Sequence, residues 1–116
     1  MNVSFKHAIE GVKAAFVQHL NFRIHVAIAI VVLTASFVLK ISHTELIIVI
    51  FTINSVLIVE MMNTSIEEIT NLVTLKWSKQ AKIAKDVAAG MALITAVSAA
   101  VVGLFIFIPR IIDLLS

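Results

Sequence analysis

A chain of 116 residues that is 60% hydrophobic, with a mean hydropathy of +1.08, is more apolar than soluble domains, in which about 45–50% of residues are apolar. Its length leaves room for about three membrane spans and one short surface segment. The net charge of +2 gives no support to nucleic-acid binding, and the absence of cysteine excludes disulfides, thiolate catalysis and cysteine-ligated zinc. We therefore expect an all-α membrane protein.

The first element is an amphipathic helix predicted over residues 4–20. Phe5, Ile9, Val12 and Phe16 recur at helical spacing, and charged side chains occupy the other faces. This pattern predicts a helix that lies on the membrane surface. The alternative is an ordinary helix packed on a water-exposed core, which is less favoured because so small a chain has little such core.

Three apolar runs follow, and each is long enough to cross a membrane. We expect the spans at about residues 22–40, 46–70 and 87–108. Small residues recur through the third run and permit close contact with another helix. Pro109 and Arg110 are expected to end or kink this last span.

Positive charge is concentrated on one side of the predicted spans. The segment before and into the first span and the polar connection after the second carry Lys6, Lys13, Arg23, Lys76, Lys79, Lys82 and Lys85. By the positive-inside rule, this side is expected to face the cytoplasm.

A polar stripe interrupts the second apolar run. Glu60, Asn63 and Glu67 are spaced by three and four residues, which places them on one face of a helix. A carboxylate at membrane depth costs ~2.5 kcal/mol or more and usually faces a partner or a water-filled site. We expect the stripe to lie where the helix emerges at the cytoplasmic boundary, in one neighbourhood with Lys85 and Asp86.

This set of groups suits phosphoryl transfer. Mg²⁺ is commonly held by one or two carboxylates plus substrate phosphates, and a partly desolvated Glu can act as a general base. The structural alternative, in which the carboxylates pair with lysines of the connection, stays open on spacing alone. A glycine-rich phosphate loop is absent, because Gly11, Gly90 and Gly103 are isolated from one another.

Longer motifs run through the chain: Gly11-Val-Lys-Ala-Ala, Asn21-Phe-Arg-Ile-His25, Glu60-Met-Met-Asn-Thr-Ser-Ile-Glu67 and Ala81-Lys-Ile-Ala-Lys-Asp-Val-Ala-Ala-Gly90. Together they resemble the small prokaryotic integral-membrane lipid kinases, the family of diacylglycerol kinase and undecaprenol kinase. The resemblance covers essentially the whole chain as one domain. Its most specific part is Glu-x-x-Asn-x-x-x-Glu followed by Ala-Lys-Asp.

The resemblance implies a homotrimer in the bacterial inner membrane, with active sites on the cytoplasmic face that use ATP and Mg²⁺ to phosphorylate a lipid alcohol. Glu60 corresponds to the general base, and Glu67 to a metal-binding carboxylate close to the nucleotide. The other implied contacts are to the lipid, from Asn63, Asn21, Phe22 and Arg23, and to ATP, from Lys76, Trp77, Ser78, Lys85 and Asp86.

Two positions depart from the family pattern. His19 stands where the family usually has a second metal-binding Glu, and an imidazole suits Zn or Mn better than Mg. The favoured alternative is that His19 is solvated or interfacial and that Glu67, ATP and water hold the metal. Asn71 replaces a family acid one helical turn beyond Glu67, which removes a charge and can keep a hydrogen bond.

The motif at residues 21–25 resembles the undecaprenol kinase branch more than the diacylglycerol branch, so we expect undecaprenol to be favoured. The alternative function, motivated by His19, is a non-catalytic trimeric membrane protein on the same scaffold. A channel or transporter is disfavoured because the first span has few polar residues. The remaining histidines are interpreted as interfacial residues: His7, His25 and His43.

Overall fold

The computed structural model describes residues 2–116, which form four α-helices. Helix α1 is Asn2–Gln18, α2 is Leu20–Val38, α3 is His43–Val73 and α4 is Lys79–Leu115. Helices α2, α3 and α4 are each long and apolar enough to cross a membrane. The expected all-α architecture, a short N-terminal helix followed by three potential spans, is therefore confirmed.

Helix α1 carries the predicted apolar stripe on its surface. Phe5, Ile9, Val12 and Phe16 are between 44% and 68% exposed, whereas Ala15 is buried. An exposed apolar stripe on a helix attached to membrane spans fits a location at the membrane surface.

Helices α1 and α2 meet at a corner of one residue. His19 has an extended backbone, with φ −123° and ψ 113°. Arg23 reaches back across the corner, and its Nη1 donates to the carbonyl oxygens of Phe16 at 3.0 Å and Val17 at 2.8 Å. The last carbonyls of a helix have no partner inside it, so Arg23 caps α1 and fixes the corner.

Helix α2 ends in a Schellman motif. The Ile41 N–H donates to the Ser36 carbonyl at 3.2 Å, and the Lys40 N–H donates to the Phe37 carbonyl at 3.3 Å. Lys40 has φ 53°, a left-handed conformation that usually selects glycine. The motif turns the chain back toward the start of α3.

Helices α3 and α4 pack antiparallel and are joined by a polar contact at each end. Glu45 forms a capping box with Ser42 at the start of α3, and its carboxylate also accepts a hydrogen bond from Arg110 of α4. At the other end, Lys85 Nζ donates to Asn71 Oδ1 at 2.7 Å. At 1.5 Å per residue, Glu45 and Asn71 are about 39 Å apart, which exceeds a hydrocarbon core of ~30 Å. The two contacts bracket the apolar part of the pair.

Pro109 and Arg110 were expected to end or kink the third span. The helix continues through them as far as Leu115, so Pro109 does not end α4, and a kink there stays a prediction. A proline ring removes one backbone hydrogen bond, which here would run to Phe105. The turns on either side keep their hydrogen bonds, and Arg110 is held by Glu45, which favours continuation of the helix.

A single chain buries few of its side chains. Helix α3 contacts both α2 and α4, while most large apolar side chains are exposed. Helix α4 packs through small residues, of which Ala88 is fully buried and Ala92 and Ala99 are half-buried. Close helix contact through small residues is typical of membrane proteins.

Candidate active site

The candidate functional residues lie at one end of the bundle. Because α2, α3 and α4 alternate in direction, the start of α2 and the start of α4 lie toward the same end of the bundle as the end of α3. The contact between Lys85 and Asn71 joins α3 to α4 at this end. The polar stripe runs along α3 toward this end of the bundle. The connection between α3 and α4 and the α1–α2 corner lie on the same side.

A cleft of about 380 Å³ opens between the end of α3 and the start of α4. The sequence predicts six nucleotide contacts, and all of them except Glu67 line this cleft: Lys76, Trp77, Ser78, Lys85 and Asp86. The indole of Trp77 is largely exposed, since the residue is 79% accessible. An aromatic face and three lysines, Lys76, Lys82 and Lys85, at one cleft offer stacking and positive charge to a ligand.

Local hydrogen bonds hold the connection that forms this cleft. The Thr74 hydroxyl accepts from the Lys76 N–H at 3.2 Å and donates to the Lys76 carbonyl at 3.0 Å. The Ser78 hydroxyl accepts from the Ala81 N–H at 3.1 Å and so caps α4. The positive end of the α4 dipole therefore adjoins the cleft, where it favours an anion.

Lys85 keeps its charge available within the cleft. Its ammonium donates to an amide oxygen of Asn71, which carries no negative charge. Lys82, by contrast, is paired with Asp86 at 2.6 Å, and both side chains are about 60% exposed. An exposed pair of this kind contributes little to stability, with a median of about 0–1 kcal/mol.

The polar stripe extends away from the cleft along α3. Glu60 is eleven residues before Asn71, which corresponds to about 16 Å along the helix axis. Its side chain is only 13% exposed, while Glu67, which lies between the two, is exposed. Within one chain, Glu60 does not line the cleft that Lys85 and Asp86 line, and the expected neighbourhood of the whole stripe with these two residues stays a prediction.

Asn63 lies one helical turn from Glu60 and carries a buried oxygen. Among the residues that the structure describes, its Oδ1 is the one buried side-chain polar atom without a hydrogen-bond partner. Burying such an atom unpaired costs about 1–3 kcal/mol. A ligand with a hydroxyl or N–H group would satisfy it.

His25 was predicted to be an interfacial residue, and the structure adds a contact with Glu60 that the prediction did not include. Its Nε2 lies 3.3 Å from Glu60 Oε1, and its side chain is 24% exposed. The reason is helical register: Phe22 and Ala29, one turn to either side, are both buried on the face of α2 that turns inward. That spacing is the sequence signal that could have identified His25.

The other predicted lipid contacts occupy varied environments. Phe22 is 5% exposed and belongs to the interior, while Asn21 is exposed. Arg23 caps α1 through two backbone carbonyls. Their roles toward a lipid remain predictions.

A second, apolar cleft of about 510 Å³ lies against α2, α3 and α4. Its lining is apolar except for His25 and Thr52. Because His25 also contacts Glu60, this apolar space leads toward the Glu60 carboxylate.

The residues predicted to hold a metal do not form a complete protein site in one chain. Within residues 2–116, no three His, Asp or Glu side chains converge as metal ligands. His19 is half-buried and makes no capping hydrogen bond. Glu67 is exposed and has no cation within ion-pair distance in the described chain. Such a carboxylate fits Mg²⁺ that takes its other oxygens from phosphates and water.

Comparison with known proteins places this arrangement in a family. The family described as prokaryotic diacylglycerol kinase matches residues 6–107. An undecaprenol kinase of Bacillus subtilis is 37% identical over 108 residues, which are 93% of this chain and 88% of that protein. The chain belongs to the prokaryotic diacylglycerol kinase family.

A second relative in this family carries a different lipid in its name. A diacylglycerol kinase of Synechocystis sp. is also 37% identical, over 114 residues that are 97% of this chain and 65% of that protein. The chain thus spans about two thirds of the length of that relative. Family membership indicates a lipid kinase, and equal identity to the two relatives does not choose between their lipids.

Proposed function

We propose that this protein is an ATP- and Mg²⁺-dependent lipid kinase, with undecaprenol preferred over diacylglycerol as the acceptor. The observation that carries the proposal is the grouping of Lys76, Trp77, Ser78, Lys85 and Asp86 around one cleft. The chain belongs to the prokaryotic diacylglycerol kinase family, and its half-buried Glu60 lies on α3 about 16 Å along the helix axis from Asn71, which lines the cleft.

ATP would bind in the cleft of about 380 Å³ at the start of α4. The Lys85 ammonium and the positive end of α4 favour the phosphates, and Trp77 offers an aromatic face to the base. Glu67, exposed one turn before Asn71, would hold Mg²⁺ together with phosphate oxygens. When bound, Mg²⁺ neutralises charge on the transferred phosphoryl group.

The lipid would approach from the bilayer side, with its hydrocarbon chain along the apolar cleft that His25 lines. Its hydroxyl would meet the unpartnered Asn63 Oδ1 and the Glu60 carboxylate, which are one helical turn apart. As the hydroxyl oxygen bonds to the γ-phosphorus, the bond from that phosphorus to the bridging oxygen of ADP breaks. Glu60 accepts the hydroxyl proton.

We propose in addition that the active unit is a homotrimer in the bacterial inner membrane, with its sites on the cytoplasmic face. About 16 Å of helix separates Glu60 from Asn71 within one chain, so the base and the nucleotide cleft are better joined between neighbouring copies. The preference for undecaprenol is supported by the motif at residues 21–25 and by the Bacillus subtilis relative, of which this chain covers 88%.

The test is transfer of labelled phosphate from ATP to undecaprenol and, separately, to diacylglycerol, by purified protein in mixed micelles with Mg²⁺. Glu60→Gln keeps the size of the side chain and removes the base, so kcat should fall by roughly 10²- to 10⁴-fold. The mass of the detergent-solubilised particle should be unchanged and correspond to three chains.

Different failures contradict different parts of this proposal. Transfer to neither lipid, by a folded oligomer, would contradict the kinase and support the non-catalytic scaffold. Activity of Glu60→Gln near the parent level would remove Glu60 from the role of base. Faster transfer to diacylglycerol would reverse the proposed lipid preference.

A further inference from the structure

His25 and Glu60 form a polar contact between two helices that otherwise meet through apolar surfaces. His25 is on α2 and Glu60 on α3, and Nε2 lies 3.3 Å from Oε1. In the part of the chain that the structure describes, no other ion pair or side-chain hydrogen bond joins α2 to α3. The contact is therefore a specific feature of this interface.

The surroundings of the pair restrict where the carboxylate can turn. Phe22 and Ala29 are buried one turn to either side of His25, and Glu60 itself is 13% exposed. A carboxylate in a membrane-spanning helix needs a polar partner. Among residues 2–116, His25 is the only basic side chain with a nitrogen within 4 Å of a Glu60 oxygen.

We infer that His25 is a positioning residue for Glu60, an inference that rests on the proposed role of Glu60 as the base. An imidazole that carries a proton on Nε2 can donate to Glu60 Oε1 once the two side chains align, which leaves Oε2 to accept the proton of the lipid hydroxyl. The distance of 3.3 Å is slightly long for an N–H···O bond. Such contacts often tighten when the substrate binds.

The position of His25 also brings it close to the proposed path of the lipid. The same imidazole lines the apolar cleft along which the lipid is proposed to approach. It therefore lies between the lining of this cleft and the Glu60 carboxylate, which it contacts.

Three substitutions at His25 test the inference through the identity of the donor nitrogen. The Gln amide nitrogen can reach the place of Nε2, whereas the Asn amide nitrogen reaches only the place of Nδ1. We expect His25→Gln to keep the most activity of the three, and His25→Asn and His25→Leu to lose up to roughly 10²-fold in kcat. KM for ATP should stay unchanged, because His25 does not line the nucleotide cleft.

Two comparisons separate positioning from a general structural role. His43→Leu, at the opposite end of the bundle, is the matched control and should retain the parent kcat. In a Glu60→Gln background, His25→Leu should cause no further loss of kcat. Equal losses for His25→Gln, His25→Asn and His25→Leu, or a full additional loss in the double variant, would overturn the inference.

Nitrogen NMR of histidine-labelled protein in micelles gives a readout that does not depend on activity. The His25 ring, assigned by its disappearance in His25→Gln, should carry its proton on Nε2. Glu60→Met removes both acceptor oxygens and should shift the tautomer of His25 but leave the His43 signals unchanged. An unaltered His25 spectrum would overturn the contact itself, whereas loss of the proposed kinase activity alone would leave this result standing.

Discussion

Two adjacent carboxylates near the end of α3, Glu67 and Glu68, are both exposed but are directed differently. Neighbouring residues on a helix differ by about 100° in direction. Glu67 shares its face with Glu60, Asn63 and Asn71, while Glu68 lies off that stripe. The pair provides an internal comparison of a proposed metal ligand with an equivalent charge that has no such role.

Glu67→Gln should raise the Mg²⁺ concentration needed for half-maximal activity by roughly tenfold or more, since it removes a charged contact. Glu68→Gln removes the same charge one residue away and should leave the Mg²⁺ titration unchanged. Phosphate transfer measured across a Mg²⁺ series checks both. Equal shifts in the two variants would indicate a general loss of negative surface charge instead of metal ligation.

The polar stripe and its neighbours show how far single residues could be predicted. The spacing of Glu60, Asn63 and Glu67 is sufficient on its own to place them on one helix face. The partner of Glu60 was missed because a histidine near the start of a span fits the interface and the interior equally well. Only the rotation of α2 against α3 decides between these environments.

At the scale of helices, the turn between α2 and α3 contains a residue in a costly conformation. Lys40 has φ 53° in a Schellman motif, where a residue with a Cβ costs roughly 1–2 kcal/mol. Glycine avoids this cost but has more freedom in the unfolded chain. The local sequence therefore conflicts with the local backbone at this position.

Lys40→Gly should raise the free energy of unfolding by about 0.5–1 kcal/mol, the difference between these two effects. Lys40→Val should lower it, since a β-branched residue is least compatible with a left-handed backbone. Unfolding followed by circular dichroism in micelles titrated with a denaturing detergent measures both. A Val variant as stable as the Gly variant would contradict the left-handed conformation at residue 40.

The sequence predicted the presence of the helices better than the positions of their ends. Long apolar runs predicted α2, α3 and α4 because burial in lipid requires such runs. Of the two effects expected at Pro109, an end or a kink, the helix shows no end, because one missing hydrogen bond weighs less than the intact turns and the anchored Arg110 around it. The contact of Arg110 with Glu45 is a tertiary one that the local sequence could not predict.

For the whole molecule, the register between α3 and α4 is marked by the contact of Glu45 with Arg110. These residues are 65 positions apart, so no local pattern connects them. Their side chains are 25% and 37% exposed. Such a pair fixes relative position more than it adds stability.

A double-mutant cycle of Glu45→Gln and Arg110→Gln should show a coupling of about 0.2–1 kcal/mol in the free energy of unfolding. Gln at position 45 can still form the capping box with Ser42, so the cycle isolates the contact with Arg110. Lipid phosphorylation should be unchanged, because Glu45 is about 22 Å along α3 from Glu60. Zero coupling would show that the contact does not persist in micelles.

The contact of Glu45 with Arg110 and the polar stripe of α3 together set a preferred bilayer thickness for this protein. Glu45 and Asn63 are about 27 Å apart along the helix axis, so the apolar length between them suits a hydrocarbon core of ~30 Å. In a short-chain bilayer the helix pair has to tilt to avoid hydrophobic mismatch, at a cost of fractions of a kcal/mol per Å. Tilting moves Glu60 toward the headgroups, so acyl-chain length alters how deep a lipid alcohol must sit to be phosphorylated.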